Sequence, residues 1–145
     1  MANTFTNLLV HIVFSTKDRE PLITADLKPE LEKYVGGILR NEGHTLLEVG
    51  AMPDHLHLLI KIRADASVSD IVRVIKANSS KWAADRVPNF AWQGGYGAFS
   101  VSESQVETIR DYIRRQEEHH RTVTFQEEYV KFLNRHGIAF EERYL

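Results

Sequence analysis

The chain has 145 residues, with 18 Lys and Arg against 20 Asp and Glu, a formal net charge of −2. A single domain of that length hides roughly 70% of its unfolded surface, so a full core is available. The charge balance argues against a protein that coats duplex DNA by bulk charge, but leaves room for a local basic groove. There is no cysteine, which excludes disulfides, a thiolate nucleophile, an iron–sulfur cluster and a cysteine zinc finger. Any metal site must be made from the seven histidines together with Asp, Glu, Asn or Gln. No apolar run approaches the ~20 residues of a membrane span. The start, Met1 to Asn7, lacks a basic n-region, so no signal peptide is expected and a cytoplasmic location is the default.

In chain order, the first predicted strand is Asn7 to Phe14. It sets Leu8, Val10, Ile12 and Phe14 on one face and Leu9, His11 and Val13 on the other. Ser15 to Pro21 is polar and reads as a loop. A helix fits from about Asp26 to Glu42, with Leu27, Leu31, Tyr34, Val35, Ile38 and Leu39 as its apolar stripe. Pro29 is tolerable there because it falls in the first turn, and Gly43 is a natural stop. Leu46–Met52 and His55–Ile62 read as a hairpin around Pro53-Asp54.

Ser67, with Asp70 three residues on, opens a second helix whose buried stripe is Val68, Ile71, Val72, Ile75 and Trp82. Pro88 to Gly97 is a glycine- and aromatic-rich loop, and Ala98 to Val101 a short fourth strand. Ser102 to Gln105 reads as a capping box opening a third helix with Val106, Ile109 and Ile113 inward. The tail from Arg121 holds another amphipathic piece, with Phe125, Tyr129, Phe132 and Leu133, ended by Gly137. The order strand–helix–strand–strand–helix–strand is that of the ferredoxin-like split unit. The expected class is α+β, an antiparallel sheet of four to five strands with helices on one face and an added C-terminal tyrosine-bearing helix. The whole chain, 1–145, is one domain, with that helix at about 103–120 and a tail at 121–145. Chemistry is to be sought on the other sheet face.

Four features could carry it. Strand alternation places His55 and His57 side by side, with Leu56, Leu58, Ile60 and Ile62 behind them. Two imidazoles on one sheet face are a ready pair of metal ligands, or simply two polar residues on a wet face. On the third helix Tyr112, Gln116 and either His119 or His120 share a face. A tyrosine hydroxyl can be a covalent nucleophile and a Gln carbonyl a hard ligand suited to Mg or Mn. Read plainly, the same tyrosine is a packing residue beside a salt-laced face of Arg114, Arg115, Glu117 and Glu118. In the loop, Trp92 and Tyr96 could stack on unpaired bases, while Phe90 and Phe99 read as core. Lastly, residues 55–90 are net basic. Lys61, Arg63, Lys76, Ser79, Lys81 and Arg86 are candidate DNA contacts, or ordinary surface residues.

Taken together these segments resemble a family. Met52-Pro53-Asp54-His55-Leu56-His57-Leu58-Leu59 is similar to the His-hydrophobe-His signature of single-tyrosine HUH transposases of bacterial insertion sequences, including the REP-associated tyrosine transposases. Trp92 to Ser102 resembles their segment before the nucleophile helix, and Tyr112 to His120 that helix itself. Thr16-Lys17-Asp18-Arg19 resembles the stretch after their first strand. The likeness runs in order over nearly the whole chain.

The resemblance implies a ferredoxin-like HUH domain that cleaves and rejoins single-stranded DNA at insertion-sequence ends and recognises subterminal hairpins. It implies Tyr112 as nucleophile, giving a 5′-phosphotyrosine link. It implies His55, His57 and Gln116 as ligands of a divalent Mg or Mn, and no nucleotide cofactor. It further implies a homodimer joined at strand edges, in which the tyrosine helix of one subunit can serve the histidines of the other. The rival readings are a non-catalytic hairpin-binding relative, an HUH nickase of relaxase or replication-initiator type, and a metal-storing or structural metal protein.

Overall fold

The computed structural model describes residues 3–141, so the outermost ends of the expected 1–145 domain lie outside the described residues. Four strands, β1 (Leu8–Ser15), β2 (Thr45–Met52), β3 (His55–Ile62) and β4 (Gly97–Ser100), form one sheet in the order β2-β3-β1-β4. Every neighbouring pair is antiparallel. This is the expected ferredoxin-like α+β arrangement, with the smaller of the two expected strand numbers among the described residues.

Two helices, α1 (Leu27–Asn41) and α2 (Val68–Ala84), cover one face. They start where local chemistry allows. The Thr24 hydroxyl accepts the Leu27 amide at the head of α1, and Ser67 caps α2 by accepting the Asp70 amide. Beneath them lies the main core, built from Ile12 and Phe14 of β1, Leu56, Leu58, Ile60 and Ile62 of β3, and Leu31, Val35, Ile71 and Ile75 of the helices. The period-two alternation of β3 therefore sends its even-numbered side chains into this core, as expected.

The opposite face is also covered, and here the structure goes beyond the sequence reading. Three further helices lie on it, α3 (Val106–Arg114), α4 (Gln116–His119) and α5 (Phe125–Arg135). Val13, Phe99, Phe125, Phe132 and Leu133 make a second, smaller apolar cluster between α5 and the sheet. The expected continuous helix at 103–120 is in fact interrupted. Residues 103–105 form a single 3-10 turn, and Ser102 bonds Ser104 rather than closing a capping box. At Arg115 the backbone leaves helical geometry (φ −94°, ψ 12°), and the Gln116 side-chain amide donates back to the Tyr112 carbonyl. The true capping box lies further on. Thr124 accepts the Glu127 amide while the Glu127 carboxylate accepts from Thr124, and this opens α5.

The approach of α3 to the sheet needs a missing side chain. A Cβ built on Gly50 would stand 2.8 Å from Ile113 Cγ2 and 3.1 Å from the Ile113 carbonyl oxygen. Gly50→Val therefore forces α3 off β2. We expect it to cost about 1–3 kcal/mol of stability, as overpacking does, measured by urea unfolding, with unchanged stability contradicting the packing described.

Candidate active site

Each site residue arrives from a different element. β3 supplies His55 and His57, both buried. α3 supplies Tyr112, the turn at Arg115 swings Gln116 inward, and α5 brings Glu128. The Tyr112 and His57 ring centroids are 5.9 Å apart, and Gln116 Oε1 is 3.4 Å from His55 Nε2. The four residues singled out by sequence thus meet at one centre within a single chain. Tyr112 also faces outward, onto an open cleft of about 550 Å³ lined by Asp111, Arg115, Glu118 and His119.

At the middle stands Glu128, only 2% exposed. His57 Nε2 donates to its Oε1 at 2.9 Å, and His55 Nε2 lies 3.7 Å from the same oxygen. Its Oε2 accepts from His120 Nε2 at 3.2 Å and from the Tyr112 hydroxyl, and His119 Nε2 lies 3.3 Å away. Burial alone would raise this carboxyl's pKa. The hydrogen bonds from His120 and His57 and the nearby charges outweigh it, so the group is held far below the ordinary carboxylate range. The Tyr112 phenol is pushed the other way, by burial first and then by the Glu128 charge and hydrogen bond. As arranged, Tyr112 is a protonated donor to an ionised acceptor.

The histidines are oriented from behind. His55 Nδ1 donates to Asp54 Oδ1 at 2.7 Å, and His57 Nδ1 lies 2.9 Å from His11 Nε2. His120 Nδ1 donates to the Val123 carbonyl at 2.6 Å while its Nε2 faces Gln116 Oε1 at 2.8 Å and Glu128. Both ring nitrogens of His120 meet acceptors. Burial lowers its pKa, but the Glu128 bond and charge and the Val123 carbonyl raise it further, and the net direction is up. His57 moves down, chiefly by burial, and is a neutral imidazole.

A neutral ring whose far nitrogen is anchored and whose near nitrogen points into a shared centre is the form of a metal-binding histidine. His55, His57, His120 and Glu128 offer ligand atoms within 4.8 Å of one another. Three imidazoles and a carboxylate, with Gln116 Oε1 beside His55, suit a divalent metal ion.

Two residues at this centre were missed by the sequence reading. Glu128 is a charged residue on the apolar stripe between Phe125 and Phe132, and only its carboxylate departs from the amphipathic pattern. His11 interrupts the face shared by Leu9 and Val13, and its ring stacks on that of His57. Both irregularities are visible in the sequence, and both are explained by the site.

The DNA-contact candidates divide. Lys61, Lys81, Arg86 and Tyr96 are exposed. Arg86 stacks 4.1 Å over the Trp82 ring. Arg63 is tied to Asp65 and the Glu42 carbonyl. Lys76 holds the Gln93 and Gly95 carbonyls, so it clamps the glycine-rich loop onto α2. Trp92 packs edge-on against Phe14 and Phe90 and donates to the Ser79 hydroxyl at 2.9 Å. Ser79 itself is fully buried and donates to the Ile75 carbonyl, so its expected role as a phosphate contact is corrected. Its position on the inner stripe of α2 turns the hydroxyl toward the core.

With the geometry in view, comparisons with known proteins give the class. Residues 4–116 match the family model described as Transposase IS200 like. The chain is 24% identical over 114 residues to the ISDra2 transposase TnpA of Deinococcus radiodurans, which covers 73% of this chain and 81% of that protein. It is 29% identical over 128 residues to the transposase for insertion sequence element IS200 of Salmonella typhimurium, with 80% and 81% covered. Among solved structures, a REP-associated tyrosine transposase bound to a REP hairpin superposes with a TM-score of 0.63 at 16% identity, over 83% of this chain and 73% of that one. A second, a Deinococcus radiodurans protein described as a transposase, gives 0.65 at 22% identity, over 80% and 95%. Both share the fold. The family model spans well over half of the chain, and this chain belongs to the IS200-like transposase family.

The His11–His57 pair makes the site sensitive to acid. Burial first, then the neighbouring His57, pushes the His11 pKa down from 6.5 to about 3. His11 is thus neutral in the fold but protonates near pH 6.5 when unfolded. Its contribution to stability is complete above that pH and is lost as pH falls toward 3. In metal-free buffer the stability difference between wild type and His11→Phe should narrow as pH falls from 7 to 4. A pH-independent difference in urea unfolding would contradict this.

Proposed function

We propose that this transposase cleaves and rejoins single-stranded DNA at insertion-sequence ends, with Tyr112 forming a 5′-phosphotyrosine intermediate. The observation that carries the reading is the convergence of Tyr112, His55, His57 and Gln116 on one buried centre, although these residues are up to 61 positions apart. Family membership supports the substrate class.

In the cleavage step the Tyr112 oxygen attacks phosphorus. A new bond forms from that oxygen to phosphorus, and the bond from phosphorus to the 3′ oxygen breaks. The 3′ oxygen leaves with the electron pair and takes up a proton, giving a free 3′-hydroxyl. Tyr112 gives up its own proton, and the nearest acceptor is Glu128 Oε2. The phosphodiester energy is kept in the tyrosine link, so a 3′-hydroxyl from another strand end can reverse the step and join strands. His55, His57 and Gln116 would hold a divalent Mg or Mn, which when bound would supply Lewis acidity toward the scissile phosphate. Asp54 and His11 keep the two imidazoles turned toward that centre.

Recognition of a subterminal hairpin is part of the proposal. It is supported by the fold shared with the hairpin-bound transposase and by exposed Lys61, Lys81, Arg86 and Tyr96, which offer charge and one stacking surface. Arg63, Lys76 and Trp92 would act on DNA through the loop shapes they hold. A homodimer joined at a strand edge also belongs to this reading. The outer edge of β4 is unpaired by any other named strand among the described residues. In the single chain the site forms in cis, so a trans site in the dimer requires α3 to leave its position on β2.

The test is a denaturant-stable covalent adduct between the protein and a labelled single-stranded hairpin substrate with Mg or Mn. Wild type should form it. Tyr112→Phe should lose it, and His57→Ala should reduce it by at least about a hundredfold, the scale on which positioned catalytic groups contribute. Adduct formation by Tyr112→Phe would sink the mechanism.

A further inference from the structure

We infer that Glu128 of α5 is itself a ligand of the divalent ion, through Oε1, and that the C-terminal segment is thereby a structural part of the metal centre. The inference rests on the reading of His55 and His57 as ligands, and goes beyond it. The family match ends at residue 116, so Glu128 lies outside the matched span.

Spacing is the first argument. Donors about 2.1 Å from one octahedral ion stand roughly 3 Å apart when adjacent and about 4 Å apart when opposite. Glu128 Oε1 is 2.9 Å from His57 Nε2 and 3.7 Å from His55 Nε2, and Gln116 Oε1 is 3.4 Å from His55 Nε2. The first matches adjacent donors, and the other two fall between the adjacent and opposite spacings, within the reach of one coordination shell.

Tautomer chemistry is the second. His55 Nδ1 is committed to Asp54, which leaves Nε2 as its inward atom. His57 can donate from Nδ1 to His11, which frees Nε2 to bind an ion in place of its present bond to Glu128. The third argument is charge. A buried carboxylate surrounded by histidines is compensated only as far as those rings carry protons, and a divalent ion supplies that compensation directly.

The two oxygens then divide the work. Oε1 belongs to the ion and Oε2 keeps the Tyr112 hydroxyl, while His120 holds Oε2 and Gln116 Oε1 together. One carboxylate thus ties the nucleophile to the metal. Three donor types, two imidazoles, one amide and one carboxylate, leave two positions of an octahedron for phosphate oxygens or water.

The experiment is Mn titration of the DNA-free full chain by calorimetry, on wild type, Glu128→Gln, Glu128→Asp and His57→Ala. Wild type should bind one ion. Glu128→Gln should weaken binding by at least about tenfold, a loss already seen for changes behind a ligand. Glu128→Asp should recover part of it, and His57→Ala should abolish binding. In parallel, amide hydrogen exchange of wild type with and without Mn covers the case of a variant that does not fold. Coordination predicts slower exchange across residues 125–135. Wild-type Mn affinity in Glu128→Gln, unchanged exchange in α5, or no Mn binding by wild type would each overturn the inference. An intact metal response with no covalent adduct would instead count against the proposed DNA chemistry alone.

Discussion

A carboxylate cannot remain ionised in a protein interior without donors, and the second layer of this molecule is arranged around that constraint. Glu128 is buried under α5, and its two oxygens are met by groups from β3, α3 and the turn after α4. Removing one partner from a buried charge network of this kind costs on the order of 3–5 kcal/mol, because the remaining charge is stranded. The same contacts that avoid that penalty set the position of Tyr112 relative to His57. Stability and site geometry are therefore one problem here. The helices of the second layer are placed by a polar centre at least as much as by the small cluster of Val13, Phe99, Phe125, Phe132 and Leu133.

That placement depends on what the sheet leaves out. Gly50 on β2 admits Ile113 of α3, and Gly97 on β4 admits Tyr129 of α5, whose Cε1 would lie 2.9 Å from an added Cβ. Two absent side chains let two helices settle close to the strands, at the depth where Tyr112 and Glu128 reach the histidines. On the opposite face nothing comparable is needed. There the fit is mostly aliphatic around Phe14 and Phe90, and Ser79 and Trp92 close the edge of the core with one hydrogen bond. The sheet is accordingly two-sided in chemistry as well as in space. One face is a scaffold, and the other is a polar centre that needs accurate distances.

The interruptions in the tyrosine helix serve the same centre. A straight helix from 103 to 120 would keep Tyr112, Gln116 and His120 on one face, but the chain breaks at Arg115. The turn at Arg115, with Gln116 bonded back to the Tyr112 carbonyl, brings the amide oxygen beside His55. His120 then ends α4 with its ring against His55, 4.5 Å between centroids, and anchors itself on Val123. The chain reverses over four residues before the Thr124 capping box starts α5. The clamped loop from Gln93 to Gly95 lies on the basic side, where Lys76 replaces a free phosphate contact with a structural one.

How much of this could be read beforehand follows from the range of each interaction. Strand alternation at His55–Ile62, the apolar stripe of α1, and the Ser67 cap are local regularities, and the sequence by itself determined them. The motifs around His55-Leu56-His57 and Tyr112 to Gln116 likewise pointed to the family and to the paired histidines and tyrosine. The break at Arg115, the burial of Ser79, and the entry of Glu128 into the site were decided only by the tertiary structure. Each turns on what packs against a residue from a distant element, and local periodicity carries no term for that. Glu128 shows the reason most directly. In the sequence it is a charged residue on an apolar stripe, and nothing local says what it meets. It becomes the centre of the site only when β3, α3 and the turn at His120 surround it, and that depends on three-dimensional proximity between residues up to 73 positions apart.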